Sequence, residues 1–237
     1  MNPDEMRKQQ TVLVVAAHPD DEVLGCGGTL ARLAGDGVAV HILLMADGET
    51  SRTSVSGKES DPSKVEARHA AAAAACRILG CASVNVLGLP DNRLDGQDLL
   101  DVVKHVESLV HRYQPSMVLT HHAGDVNIDH RVVHDAVIAA CRPQPGYSVK
   151  ELLFFEVPSS TEWRPPGSAE PFNPNWFFDI TSTLATKMEA LRAYEAELRA
   201  FPHPRSLKAV EALALWRGAT AGVEAAEAFV LGRKIVG

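Results

Sequence analysis

Residues Val12 to Gly28 read VLVVAAHPDDEVLGCGG, and the fold class follows from how this stretch is read. It opens as an unbroken β-branched and apolar run, the pattern of a strand buried on both faces of a parallel sheet. It then breaks into His18-Pro19-Asp20-Asp21-Glu22 before a glycine-spaced helical start, so four ionisable side chains stand at one strand-to-helix turn.

Outward from this stretch, strand and helix patterns alternate. Strands are predicted at 12–16, 38–46, 83–87 and 116–120, and helices at 22–34, 62–79, 99–113 and 129–141. Such a succession predicts an α/β fold, a Rossmann-like, doubly wound and mostly parallel sheet with helices on both faces. After Lys150 come an apolar strand at 152–157, a Pro-rich loop at 158–174, a short aromatic run at 176–180 and helices at 183–200 and 206–217. The closing apolar stretch at 228–236 has strand character. The expectation is a single domain over 1–237, with a core of about 10–146 and a C-terminal helical extension of about 147–237.

With 237 residues, 46% of them hydrophobic, the chain can bury a substantial core, which excludes a disordered protein. The net charge of −7 leaves no basic face for nucleic acid or an anionic membrane, so a neutral or sugar-like ligand fits better than a polyanion. The first ten residues are polar, and no apolar run reaches the roughly 20 residues that a membrane span needs; the reading is a soluble cytoplasmic protein. Cys26, Cys76, Cys81 and Cys141 lack zinc-ribbon spacing and read as buried free thiols. Trp163, Phe172, Trp176 and Phe177 offer material for a subunit contact, so a homo-oligomer is possible.

In an open parallel sheet, ligands bind beyond the carboxyl ends of the strands. The expected strand ends carry His18, Asp20 and Asp21; Asp47 and Glu49; Asp91, Asn92 and Arg93; and His121, His122, Asp125, Asn127, Asp129 and His130. So many ionisable groups along one edge point to a metal. His18 and Asp21 can aim at one point across the turn, and a third ligand must come from elsewhere, with His130 and, one helical turn later, His134 on offer. Imidazole and carboxylate without cysteine favour zinc over magnesium.

AHPDDE at 17–22 after an apolar strand, together with Asn127-Ile128-Asp129-His130 after a later one, resembles the zinc-dependent N-acetylglucosaminyl deacetylases of the LmbE/PIG-L type. The resemblance implies that His18, Asp21 and His130 bind Zn2+, that Asp20 is the general base, and that the substrate is a small N-acetylated sugar or glycoconjugate. The family's second motif usually begins with a histidine where this chain has Asn127. Asparagine can donate a hydrogen bond to an oxyanion but cannot deliver a proton, which leaves His121, His122 or a reprotonated Asp20 to serve as the acid. Arg68 and Asp91 match family positions that touch substrate. An acidic residue that usually follows the arginine by three is Ala71 here, so the local hydrogen-bond network must differ. His203-Pro204-Arg205-Ser206 also resembles a family segment and can reach the site from the C-terminal part.

Several of these residues have structural readings. Glu22 suits a helix start, Asp129 an N-cap or a partner orienting a metal histidine, and His134 a helix face. Gly25, Gly27 and Gly28 miss the dinucleotide spacing because Leu30 stands at the third position, and they suit close helix packing instead. The Ser-, Thr- and Gly-rich stretch 47–61 is either a mobile surface loop or one that folds over a ligand. Besides the deacetylase, an ester or phosphoester hydrolase and a non-catalytic metal or carbohydrate-binding protein remain as alternatives.

Overall fold

A computed structural model describes residues 10–49 and 61–236, so most of the loop expected at 47–61 lies outside the described residues. The stretch that opens the sequence becomes strand β1 (Thr11–Ala16) and helix α1 (Asp21–Gly35). There follow β2 (Ala39–Ala46), α2 (Pro62–Leu79), β3 (Ser83–Leu89), α3 (Leu99–Tyr113), β4 (Met117–His121) and α4 (Ile128–Ala140). The C-terminal part supplies β5 (Glu151–Phe155), β6 (Trp176–Asp179), α5 (Leu184–Arg192), α6 (Leu207–Ala221) and β7 (Ala226–Lys234).

All seven strands form one sheet in the order β3-β2-β1-β4-β5-β7-β6. β1 pairs in parallel with β2 and β4, β2 with β3, and β4 with β5. Alternate β1 residues feed opposite layers. Val12, Val14 and Ala16 join α1, α2, α5 and α6 on one face, while Leu13, Val15 and Ala17 join α3 and α4 on the other. Burial on both faces is why the run carries no polar alternation.

The C-terminal part is less helical than expected. β7 runs antiparallel to β5, with β6 antiparallel on its outer side, so this part contributes three of the seven strands. The sheet crosses residue 146 without a break, because β5 pairs with β4 from Met117–Glu151 to His121–Phe155. The helix expected over 183–200 ends at Arg192 and gives way to a 3-10 turn at Glu195–Glu197.

α1 bends at Cys26, whose backbone (φ −146°, ψ 15°) leaves the helical region. The interrupted hydrogen bonds are taken up by a buried ion pair. Glu227 accepts the Gly28 and Thr29 N–H groups at 3.0 and 2.7 Å, while Lys187 Nζ donates to Leu24 O at 2.8 Å and lies 2.6 Å from Glu227 Oε1. The glycines here permit close approach, as expected. A Cβ on Gly25 would stand 2.4 Å from the Phe155 ring, and one on Gly28 would stand 2.8 Å from Ile180.

Candidate metal centre

The strand order reverses at β1 and β4, and the crevice beyond their carboxyl ends is where a doubly wound sheet places its ligand site. A cavity of about 270 Å³ opens there, lined by His18, Asp20, Asp21, Asn127 and His130 together with Arg68, Asp91 and Arg205. β1 delivers the first three residues through its tight turn, and the N-terminus of α4 delivers Asn127 and His130.

His18, Asp21 and His130 each offer a ligand atom within 4.8 Å of the others. Asp21 Oδ2 lies 3.2 Å from both His18 Nδ1 and His130 Nε2. On its other side, His130 Nδ1 lies 3.1 Å from Asp125 Oδ2. Donation from Nδ1 to that carboxylate turns Nε2 toward Asp21 and the cavity, the usual support of a metal histidine. Asp125 is fixed in turn by Thr161 Oγ1 at 2.7 Å, by a short contact with Ser160 Oγ, and by the Asn127 N–H at 2.8 Å.

Electrostatics sharpen the picture. Burial alone favours the neutral acid at Asp21, yet His130 and His18 outweigh it and hold the carboxyl well below its ordinary range. Burial likewise opposes the charged form of His130, but Asp21 and Asp125 push the ring up to about 9. His18 is raised against the same burial by Asp129, Asp21 and Asp91. Two imidazoles surrounded by carboxylates that draw positive charge onto them form a donor set that fits a divalent cation, with nitrogen and oxygen ligands and no thiolate.

Asp20 caps α1 with a backbone at φ 121°, a left-handed conformation that costs an aspartate of order 1–3 kcal/mol and persists only where surrounding contacts impose it. Glu22 accepts the Asp20 N–H at 3.1 Å and the Tyr194 hydroxyl at 2.6 Å, so Glu22 is engaged in holding the turn. Burial, followed by the neighbouring Asp21 charge, pushes the Asp20 carboxyl up to about 7, with Arg205 opposing.

The other expected residues divide. Asn127 lines the cavity and its Oδ1 accepts the Asp129 N–H at 2.8 Å as the N-cap of α4, which leaves its NH2 as the donor end. Asp129 is therefore not the cap. Its Oδ2 lies 3.0 Å from His18 Nε2 and accepts the Asn92 N–H at 2.7 Å, while Oδ1 accepts the Leu94 N–H at 2.9 Å. Asp91 Oδ1 lies 2.9 Å from His18 Nε2, so it faces a histidine as well as the cavity. Arg68 is gripped by Glu49 at 2.8 Å and Glu197 at 2.5 Å.

His122 is not brought to the cavity. The residues ending β4 point to opposite sides, and its Nε2 meets Glu170 O at 3.0 Å while Phe172 packs edge-on against the ring. His121 is fully buried with Nε2 accepting the Ala17 N–H at 2.8 Å, and it stacks on His130 at 3.9 Å. His134 Nδ1 meets His121 O at 2.8 Å and the ring packs on Phe154, the helix-face reading and not a ligand. Of the aromatic residues expected at a subunit contact, Phe172 is also covered by Arg217 and Trp176 lies under Lys234. Asp125 was expected at this strand end, and its pairing with His130 is what the structure adds. Glu197, and Tyr194 as the Glu22 partner, were not legible beforehand, since no spacing ties them to either motif.

A family model described as GlcNAc-PI de-N-acetylase (PIG-L) matches residues 13–141, more than half of the chain and the span that carries both halves of this centre. The chain belongs to the PIG-L family. It is 32% identical to the uncharacterized deacetylase YaiS of Escherichia coli K12, over 65% of this chain and 77% of that protein. It is 28% identical to the diacetylchitobiose deacetylase of Thermococcus kodakarensis, over 78% of this chain and 69% of that one. The 4-oxalmesaconate hydratase of Pseudomonas putida KT2440 is 31% identical over 78% of this chain and 72% of its own length. The relatives of this chain thus include proteins named as deacetylases and one named as a hydratase. No helix among the described residues is long and apolar enough to cross a membrane.

Proposed function

We propose that the protein is a zinc-dependent N-deacetylase that removes acetate from an N-acetylated amino sugar or sugar conjugate. The observation that carries this reading is the convergence of His18, Asp21 and His130 on one point, with Asp20 beside them in the lining of the cavity. His18, Asp21 and His130 would hold the ion, which when bound supplies Lewis acidity to the acetamide carbonyl and lowers the pKa of water. Asp20 accepts the proton of the attacking water, and burial keeps its basicity near neutrality, where a general base is most effective. The Asn127 NH2 donates to the oxygen on which charge develops. Asp20, protonated by the first step, returns that proton to the leaving amine. The proton carriers considered at His121 and His122 are ill placed for it, one sealed beneath His130 and the other turned to Glu170.

The names of YaiS and the diacetylchitobiose deacetylase support the reaction class, and a cavity walled by polar side chains supports a sugar. The test is acetate release from N-acetylated sugars and their conjugates by zinc-loaded protein, beside phosphate and alcohol release from matching esters and hydration of an unsaturated dicarboxylate. Acetate release lost in Asp20→Asn supports the reading. Turnover of the esters or the unsaturated acid alone would replace it.

A further inference from the structure

We infer that Arg205, supplied by the C-terminal part, is a positioning residue that orients Asp20 through one carboxylate oxygen and leaves the other to receive the proton. The inference rests on the reading of Asp20 as general base. Arg205 Nη1 lies 3.2 Å from Asp20 Oδ2 and 3.7 Å from Glu197 Oε2. Glu197 is bound on its other oxygen by Arg68 Nη2 at 2.5 Å, and Arg68 Nε donates to Glu49 Oε1 at 2.8 Å. Five side chains therefore alternate in charge, Asp20, Arg205, Glu197, Arg68 and Glu49, tying the β1–α1 turn to the C-terminal part and back to α2.

The Arg205 backbone is also fixed. Its N–H donates to His203 Nδ1 at 3.1 Å, and the next residue, Ser206, caps α6 by accepting the Ala209 N–H at 3.1 Å. Both carboxylates meet the same Nη1, which the guanidinium holds in a fixed plane, whereas an ammonium offers none. Asp20 projects from a left-handed turn on a short, buried side chain, so an anchor on Oδ2 selects the rotamer that presents Oδ1 to the cavity. An error of about 1 Å in such placement can cost about 10²-fold in rate.

The test is a double-mutant cycle between Asp20→Asn and Arg205→Ala, with Arg205→Lys and Arg205→Gln alongside. For each variant kcat, KM, zinc content and thermal midpoint are measured, and the metal-free Arg205→Ala protein is crystallised. The expected result is a fall in kcat of about 10- to 100-fold in Arg205→Ala with KM changed less than about threefold, scaled from the misplacement cost above. Zinc content and midpoint stay at the wild-type level, Arg205→Lys recovers part of kcat, the Asp20 side chain is rotated in the crystal, and Arg205→Ala adds nothing in the Asp20→Asn background. Multiplying losses in the cycle, or a change confined to KM, would overturn the inference in favour of direct substrate binding. Lost folding or zinc in all three Arg205 variants would overturn it in favour of a structural role. Full turnover by Asp20→Asn alone removes the general-base reading itself, a result separate from any of these.

Discussion

At Asp20 and His18, two positions apart, mutation is expected to separate zinc binding from turnover. His18 faces Asp21 through Nδ1 at 3.2 Å and contributes to the ligand cluster, so His18→Ala is expected to lose bound zinc and activity together, by elemental analysis and acetate release. Asp20→Asn is expected to keep its zinc and lose about 10²- to 10⁴-fold in kcat, the usual weight of a general base. Asn127 separates two roles. Asn127→Ala removes both cap and donor, costing about 0.5–2 kcal/mol of stability and about 10²- to 10³-fold in kcat. Asn127→Ser keeps a capping oxygen, so a denaturant titration should find stability near wild type while turnover stays low; unchanged turnover in both would withdraw the oxyanion role. The residues of the two motifs were legible because each sits within a few positions of a strand end. Asp125 was expected at the same strand end, and its pairing with His130 is what the structure adds. Glu197 and Tyr194 were not legible, because what makes them part of the centre is contact with Arg68 and Glu22, 129 and 172 positions away, which no local spacing encodes.

Among the elements, α1 depends most on distant parts of the chain. Its break at Cys26 leaves backbone groups that Lys187 and Glu227 satisfy from α5 and β7, both residues being 3–4% exposed. Lys187→Met would strand a buried carboxylate and is expected to cost about 3–5 kcal/mol in urea unfolding, with Lys187→Met/Glu227→Gln recovering part of it, since glutamine still accepts a backbone N–H. A cost below about 1 kcal/mol for Lys187→Met would mean that the pair does not carry the break. Gly25→Ala is expected to destabilise by about 1–3 kcal/mol through overpacking on Phe155, relieved by Phe155→Leu. The strands and helices of the first half were readable because burial makes β1, β2 and β4 largely apolar runs and each helix is amphipathic or alanine-rich. β6 and β7 were harder to place. A short strand at a sheet edge has one poorly covered side, and the antiparallel return of β7 depends on partners 74 to 83 positions earlier in the sequence.

For the whole molecule, the site lies at the reversal of strand order, yet its far wall comes from the C-terminal part through Ser160, Glu197 and Arg205. A chain ending near residue 146 keeps the whole family match but loses β5, the Ser160 and Thr161 hydroxyls on Asp125 and the Tyr194 hydroxyl, and it is expected to lack cooperative unfolding in urea. Cooperative unfolding of that fragment would show that the C-terminal part is dispensable to the core. The most direct test of the central claim pairs zinc analysis with acetate release from N-acetylglucosamine conjugates for the wild-type, His18→Ala and Asp20→Asn proteins side by side. The predicted result is zinc and acetate in the wild type, neither in His18→Ala, and zinc without acetate in Asp20→Asn. Full zinc occupancy in His18→Ala, or undiminished acetate release by Asp20→Asn, would contradict the assignment of this centre.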